Sequence, residues 1–243
     1  MEAKLKLILR KPQSLLVLKS AIFAGFLFLL KLGDFGILPI LFFLWAVFMM
    51  ARGAQASFLV FLFVSAALVN ILDRPLFLVL ALIGSAGLFY LTVGIQELII
   101  IRRPEWLLVR NTFLFYIMFL LFFLADKSSW FLFKYLAVFL AAWLILREWF
   151  LPPEDSLVKF IKRPALMALA LAFIVLQFLW AVALLPLGPV NSASLMTLIA
   201  YILFDFARHH FQGKINRQLV LRHFTIFILL LILIFATTQW GIR

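Results

Sequence analysis

Cysteine is absent from this chain. Its absence excludes disulfides, thiolate nucleophiles, Cys-ligated iron–sulfur clusters and covalently attached c-type haem. Acidic residues are scarce: ten Asp and Glu stand against 22 Lys and Arg, a net charge of +12. Only three histidines occur, too few for a His-rich di-iron centre. Long polar stretches are also missing. The longest connection between apolar segments, Arg147 to Arg163, is itself half apolar, and a soluble catalytic or sensor domain needs on the order of 100 residues. Neither a Walker-type phosphate loop nor a dinucleotide fingerprint is present, so this chain does not hydrolyse ATP, although a partner could. No H-E-x-x-H, nucleophile elbow or pair of intramembrane carboxylates occurs either.

What fills the sequence instead is apolar. Of the 243 residues, 67% are hydrophobic, and the mean hydropathy is +1.17. A helix needs roughly 20 apolar residues to cross a hydrocarbon core of about 30 Å. Nine segments approach that length: Leu15–Leu30, Phe35–Ala51, Ala56–Leu72, Leu76–Ile101, Leu107–Ala125, Trp130–Leu146, Ala165–Leu185, Ser194–Phe211 and Phe224–Trp240. None alternates apolar with polar residues as barrel strands do. The expected fold is therefore all-α: a polytopic helical membrane protein of about nine spans, with Phe35–Ala51 re-entrant as an alternative because Pro39 interrupts it. Residues 1–243 read as one transmembrane domain. No cleavable signal is expected, since Lys19 breaks the first apolar run and no A-x-A-like site follows it.

Charge gives the orientation. With the N-terminus in the cytoplasm, 17 of the 22 basic residues fall on the inner side, which is the positive-inside asymmetry expected of short loops. Only Lys31, Arg74, Lys127, Lys134 and Arg243 fall outside. Trp106, Trp130, Trp149 and Trp240 sit at proposed span ends, as an aromatic belt requires. Plasma-membrane residence follows as an expectation. Segments near residues 3–11 and 155–163 mix cations with bulky apolar residues and read as cytoplasmic interfacial pieces. The basic charge then points to anionic lipid headgroups rather than nucleic acid.

A pattern of two basic residues followed by Pro opens three outward-running spans, at Arg10-Lys11-Pro12, Arg102-Arg103-Pro104 and Lys162-Arg163-Pro164. Pro is favoured in a first helical turn, where its missing N–H costs nothing. A duplicated core would produce this pattern; so would independent helix starts anchored at the inner face. Small residues at helical spacing (Ala81, Gly84, Ser85 and Gly87; Ala137 and Ala141; Ala168 and Ala172) mark close helix approach or an oligomer contact.

Polar groups within spans are costly and so become functional candidates. They are Asn70, Gln96, Glu97, Asn111, Gln177 and Asp205, with Arg208, His209 and His210 at the inner end of the eighth span. Gln177 reads as a hydrogen-bonding link to another helix. On a helix Asp205 faces Arg208 and His209. Asp205, Arg208 and His209, with Glu97 as the acidic neighbour from another span, form the candidate headgroup- or ion-binding group. An intrahelical ion pair at the water boundary is the plainer alternative. Were His223 to join, the group could hold at most a single ion, so no metal or other cofactor is expected.

Three functions compete on these residues. The first is a non-enzymatic membrane subunit or scaffold, binding other membrane proteins or a second copy. The second is a small transporter or flippase-like protein for a lipidic or lipid-linked anionic substrate. The third, an intramembrane enzyme using Asp205 and His209, has the least support.

Overall fold

The computed structural model describes residues 12–32, 56–72, 74–96, 103–125, 131–150, 164–211 and 216–237. Among these the chain is all-helical. The eight helices are α1 (Pro12–Leu32), α2 (Ala56–Ile71), α3 (Pro75–Gln96), α4 (Arg103–Leu124), α5 (Phe131–Phe150), α6 (Pro164–Ala183), α7 (Pro189–Phe211) and α8 (Arg217–Thr237). Five of them open with Pro at the first or second position, where its fixed φ suits the helix and no donor is lost.

Most of the helices pair buried positions with exposed apolar ones. In α1 the stripe is Leu16, Ser20, Phe23, Leu27 and Leu30, while Val17, Ile22, Leu29 and Leu32 point outward. Leu76, Ile83, Leu132 and Leu184 are likewise largely exposed. Apolar surface on this scale belongs in hydrocarbon, not water. Five helices contain windows long and apolar enough to cross a membrane: Ser14–Leu32, Pro75–Gly94, Trp106–Leu124, Ala165–Ala183 and Pro189–His210. Phe58–Ile71 and Val220–Ala236 are apolar but shorter. The protein is thus a helical membrane protein.

Eight of the nine expected segments coincide with these helices; Phe35–Ala51 lies outside the described residues, as do the interfacial segments near 3–11 and 155–163. The two largest departures from apolarity alone are at the starts of α7 and α8. α7 begins at Pro189, and α8 begins at Arg217, because a first turn facing water tolerates polar residues that a hydropathy reading cuts away. α5 carries Lys134, Arg147 and Glu148, and it is not among the five long apolar windows.

The contacts divide into two compact units, Met1–Phe113 and Leu114–Arg243, with the boundary inside α4. In the first unit α1, α2 and α3 pack against one another. Phe23, Phe58, Phe61 and Phe89 form its aromatic centre, Phe23 stacking on Phe89 at 4.7 Å and lying 5.4 Å from Phe61. Near the C-terminal ends of α1 and α2, Lys31 Nζ donates to the Asn70 carbonyl at 2.9 Å. Phe23 opposite Phe61 and Lys31 opposite Asn70 require α1 and α2 to run parallel. α2 and α3 are joined by a tight turn, whose first residues are held by Leu72 N–H to Leu68 O and whose exit is held by Leu78 N–H to Arg74 O. Asp73 lies outside the described residues.

In the second unit α5 and α6 form the most extensive contact, and α6 also packs on α7 and α7 on α8. Ala142, Ala168 and Ala172 are fully buried. Small side chains bring backbones together in lipid, where packing rather than water exclusion holds helices. Trp143 Nε1 donates to Ala165 O at 3.3 Å, joining the end of α5 to the start of α6. Trp149 of α5 stacks on Phe204 of α7 at 3.6 Å, so the C-terminal ends of these helices lie together. One end of this unit therefore collects Arg147, Arg208, Arg217 and Arg222, whereas Lys134 is the described cation at the other. The small residues of α3 behave differently: Gly84 and Gly87 are exposed, with open space beyond them.

Candidate functional site

The basic end of the second unit holds the main polar cluster. Asp205 lies on the last two turns of α7, and His223, near the start of α8, meets it there. His223 Nε2 is 2.7 Å from Asp205 Oδ2. Both residues are buried, at 3% and 7% exposure. The His223 ring is flanked by Phe206 at 5.1 Å and Tyr201 at 6.5 Å, so the pair is enclosed by rings rather than by water. Low surrounding polarity strengthens such a bond and makes either partner costly to leave alone.

His209 completes the cluster from the same helix. Its Nδ1 donates to the Asp205 carbonyl at 2.8 Å and sits 3.4 Å from Asp205 Oδ2. Arg208 is exposed, and no ion pair between it and Asp205 is seen among the described residues. Glu97 lies outside the described residues. Of the four sequence candidates, the structure brings together Asp205 and His209 and adds His223. Among the described residues no group of three or more His, Asp or Glu side chains is arranged to hold a metal. The cluster can accept and donate hydrogen bonds, and Asp205 and the imidazoles can exchange a proton.

Two features escaped the sequence reading. Arg110, counted there among the cytoplasmic charges, is buried at 2% exposure, and its Nε donates to Asn111 Oδ1 at 2.9 Å. The signal was its position seven residues beyond Arg103, about 10 Å into α4 at 1.5 Å per residue. His223 as the main partner of Asp205 was the other. The signal there was spacing: residues 205 and 223 stand equally far from Lys214, midway between the two helices.

Gln177 corrects an expectation. Among the described residues it links α6 to no other helix; it is exposed, and its carboxamide has no partner there. The reason lies in its helical phase. The α6 stripe facing neighbours is Ala168, Ala172, Val175, Leu179 and Val182, and Gln177 falls on the opposite side. Asn70 is also exposed, its Nδ2 donating to Ala66 O at 3.0 Å.

A groove of about 450 Å³ lies between α6 and α7. Its walls are Leu166, Ala170 and Ile174 on α6 with Leu203, Ala207 and His210 on α7. It is apolar apart from His210, at the basic end.

No protein-family description matches this chain, and neither a curated protein nor a solved structure is significantly similar to it. Function is therefore argued from the residues themselves.

Proposed function

We propose that this protein is a non-enzymatic subunit or scaffold of a membrane assembly, built to bind another transmembrane helix. The observation that carries this reading is Gln177, an outward-facing carboxamide without a partner inside a span-length apolar helix. An amide facing acyl chains lacks hydrogen bonds that hydrocarbon cannot supply, and a partner helix can supply them. Ala181, one turn further along the same face and also exposed, leaves room for a close approach. The partner is another membrane protein or a second copy, whose own Gln177 would offer both donor and acceptor.

A photoreactive residue at Ala181 tests this in native membranes. The reading expects one adduct of fixed mass, at twice the chain mass for a second copy, which weakens when Gln177 is replaced by Leu. A chain that stays uncrosslinked, or an adduct indifferent to Gln177→Leu, would sink it.

The topology belongs to the same proposal: nine spans in the plasma membrane, with the N-terminus cytoplasmic. The parallel course of α1 and α2 supports it. α1 ends beside the end of α2, and the proposal accordingly includes a crossing within residues 33–55. Those 23 residues are long enough for one crossing.

The runner-up is a transporter or flippase-like protein for a lipidic anionic substrate, with Asp205, Arg208, His209 and Glu97 meeting the headgroup. The groove beside α7 favours it. Reconstitution with fluorescent anionic lipid separates the two readings: rapid transbilayer exchange that Asp205→Asn abolishes would replace the subunit reading.

A further inference from the structure

We infer that the partner helix is α6 of a second copy, packed in parallel about a two-fold axis along the membrane normal. This rests on the subunit reading and names its partner: Gln177 requires a helix, and the residues around it say which.

Spacing along the outer face of α6 is the first argument. Leu166, Ala170, Phe173, Gln177 and Trp180 are all exposed, as is Leu184 in the turn that follows the helix. They recur alternately four and three residues apart, the 3.5-residue repeat of a left-handed two-helix seam. From Leu166 to Leu184 the seam runs about 27 Å at 1.5 Å per residue, nearly the full ~30 Å hydrocarbon core. The buried stripe from Ala168 to Val182 lies on the opposite face, against neighbours in this chain.

Outward apolar residues lie opposite any buried stripe, and lipid alone can cover them. Gln177 is what lipid cannot satisfy. Asn70 and Thr225 also face outward, yet each donates to a carbonyl four residues back in its own helix. Gln177 makes no such bond, and it sits near the middle of the seam.

Amide chemistry selects a second copy. A carboxamide carries both donors and an acceptor, so two of them satisfy each other without a third group. Copies of one chain insert in one orientation, so a parallel pair brings both Gln177 side chains to the same depth. A single polar amide in such a seam fixes register and strand number. Ala170, seven residues earlier, is small enough to let the backbones approach, and Phe173 and Trp180 close the seam on either side of the amides.

Disulfide crosslinking in native membranes tests this, since the chain has no cysteine of its own. Single Cys residues at Ala170, Phe173 and Trp180 should oxidise to a product of twice the chain mass, because a bridge needs Cα atoms within about 7 Å. Phe178→Cys, exposed but one position off the seam, should give far less. With Ala170→Cys as reporter, Gln177→Leu should lower the dimer yield by about fivefold, the equivalent of the ~1 kcal/mol of interhelical hydrogen bonding in lipid. Gln177→Asn, which keeps the amide, should retain most of it. These positions are exposed, so misfolding does not mask the result. Equal yields at 170 and 178, or no doubled mass from any seam position, would overturn the second copy. An Ala181 photoadduct of another mass, still weakened by Gln177→Leu, would then keep the subunit reading with a different partner. Loss of both products would end both.

Discussion

Asp205 Oδ2 and His223 Nε2 meet at 2.7 Å across the α7–α8 hairpin, inside a sleeve formed by Tyr201 and Phe206. This contact does two things at once. It satisfies a carboxylate near the membrane boundary, and it fixes the register of the last two helices.

Removing His223 should therefore cost more than removing His209. His223→Ala leaves a buried carboxylate without its main partner, and a loss of about 1–3 kcal/mol is expected. His209 is partly exposed and also bonds a backbone carbonyl, so His209→Ala should cost under about 1 kcal/mol. Denaturant or thermal unfolding in mild detergent gives the comparison; equal losses would show that the Asp205–His223 contact does not organise this end.

Two arginines separated by burial should respond oppositely. Arg208 is exposed, so Arg208→Gln should change stability by no more than about 0.5 kcal/mol. Arg110 is buried against Asn111, and Arg110→Leu strands the Asn111 amide at a cost of about 1–3 kcal/mol. Unfolding of both variants in the same detergent checks the ranking.

Small residues should divide by the face they occupy. Ala172→Leu forces a larger side chain into a fully buried position and should destabilise by about 1–3 kcal/mol. Gly84→Ala and Gly87→Ala meet open space and should fold as well as the parent. A large loss at Gly84 would point to a neighbour outside the described residues.

The parallel pair α1–α2 makes a topological prediction. Because the chain has no native cysteine, single Cys residues can be labelled without background. Lys31→Cys, Asn70→Cys and Ser128→Cys should react with a membrane-impermeant maleimide from outside intact cells, whereas Ser57→Cys and Ser156→Cys should not. If Lys31→Cys and Ser57→Cys label from one side, the return crossing between α1 and α2 is wrong.

The helices were legible because lipid simplifies the code. Long apolar runs, punctuated by Pro12, Pro75 and Pro164, mark spans almost directly. What the sequence hid was rotation about each helix axis. In a soluble protein an apolar stripe reveals the inner face; here both faces are apolar, so Gln177 and Ala172 look equally buried until neighbours are known. The same ambiguity concealed Arg110, whose basic character suggested the surface although its depth in α4 did not. His223 could be matched to Asp205 only once α8 was set against α7.

The hydrogen bond from Lys31 to the Asn70 carbonyl spans 39 residues of sequence, and this separation has a temporal consequence. At synthesis rates of about 5–20 residues per second, α1 reaches the membrane about 2–8 s before Asn70 exists. During that interval the Lys31 ammonium must be held by water and headgroups. The first helix is then anchored by its charge alone. Its final neighbour comes later, and the three-helix packing around Phe23 closes only when α3 has followed. A ribosome pause between Lys31 and Asn70 would lengthen the life of that lone helix and expose Leu16, Phe23 and Leu27 to other membrane proteins.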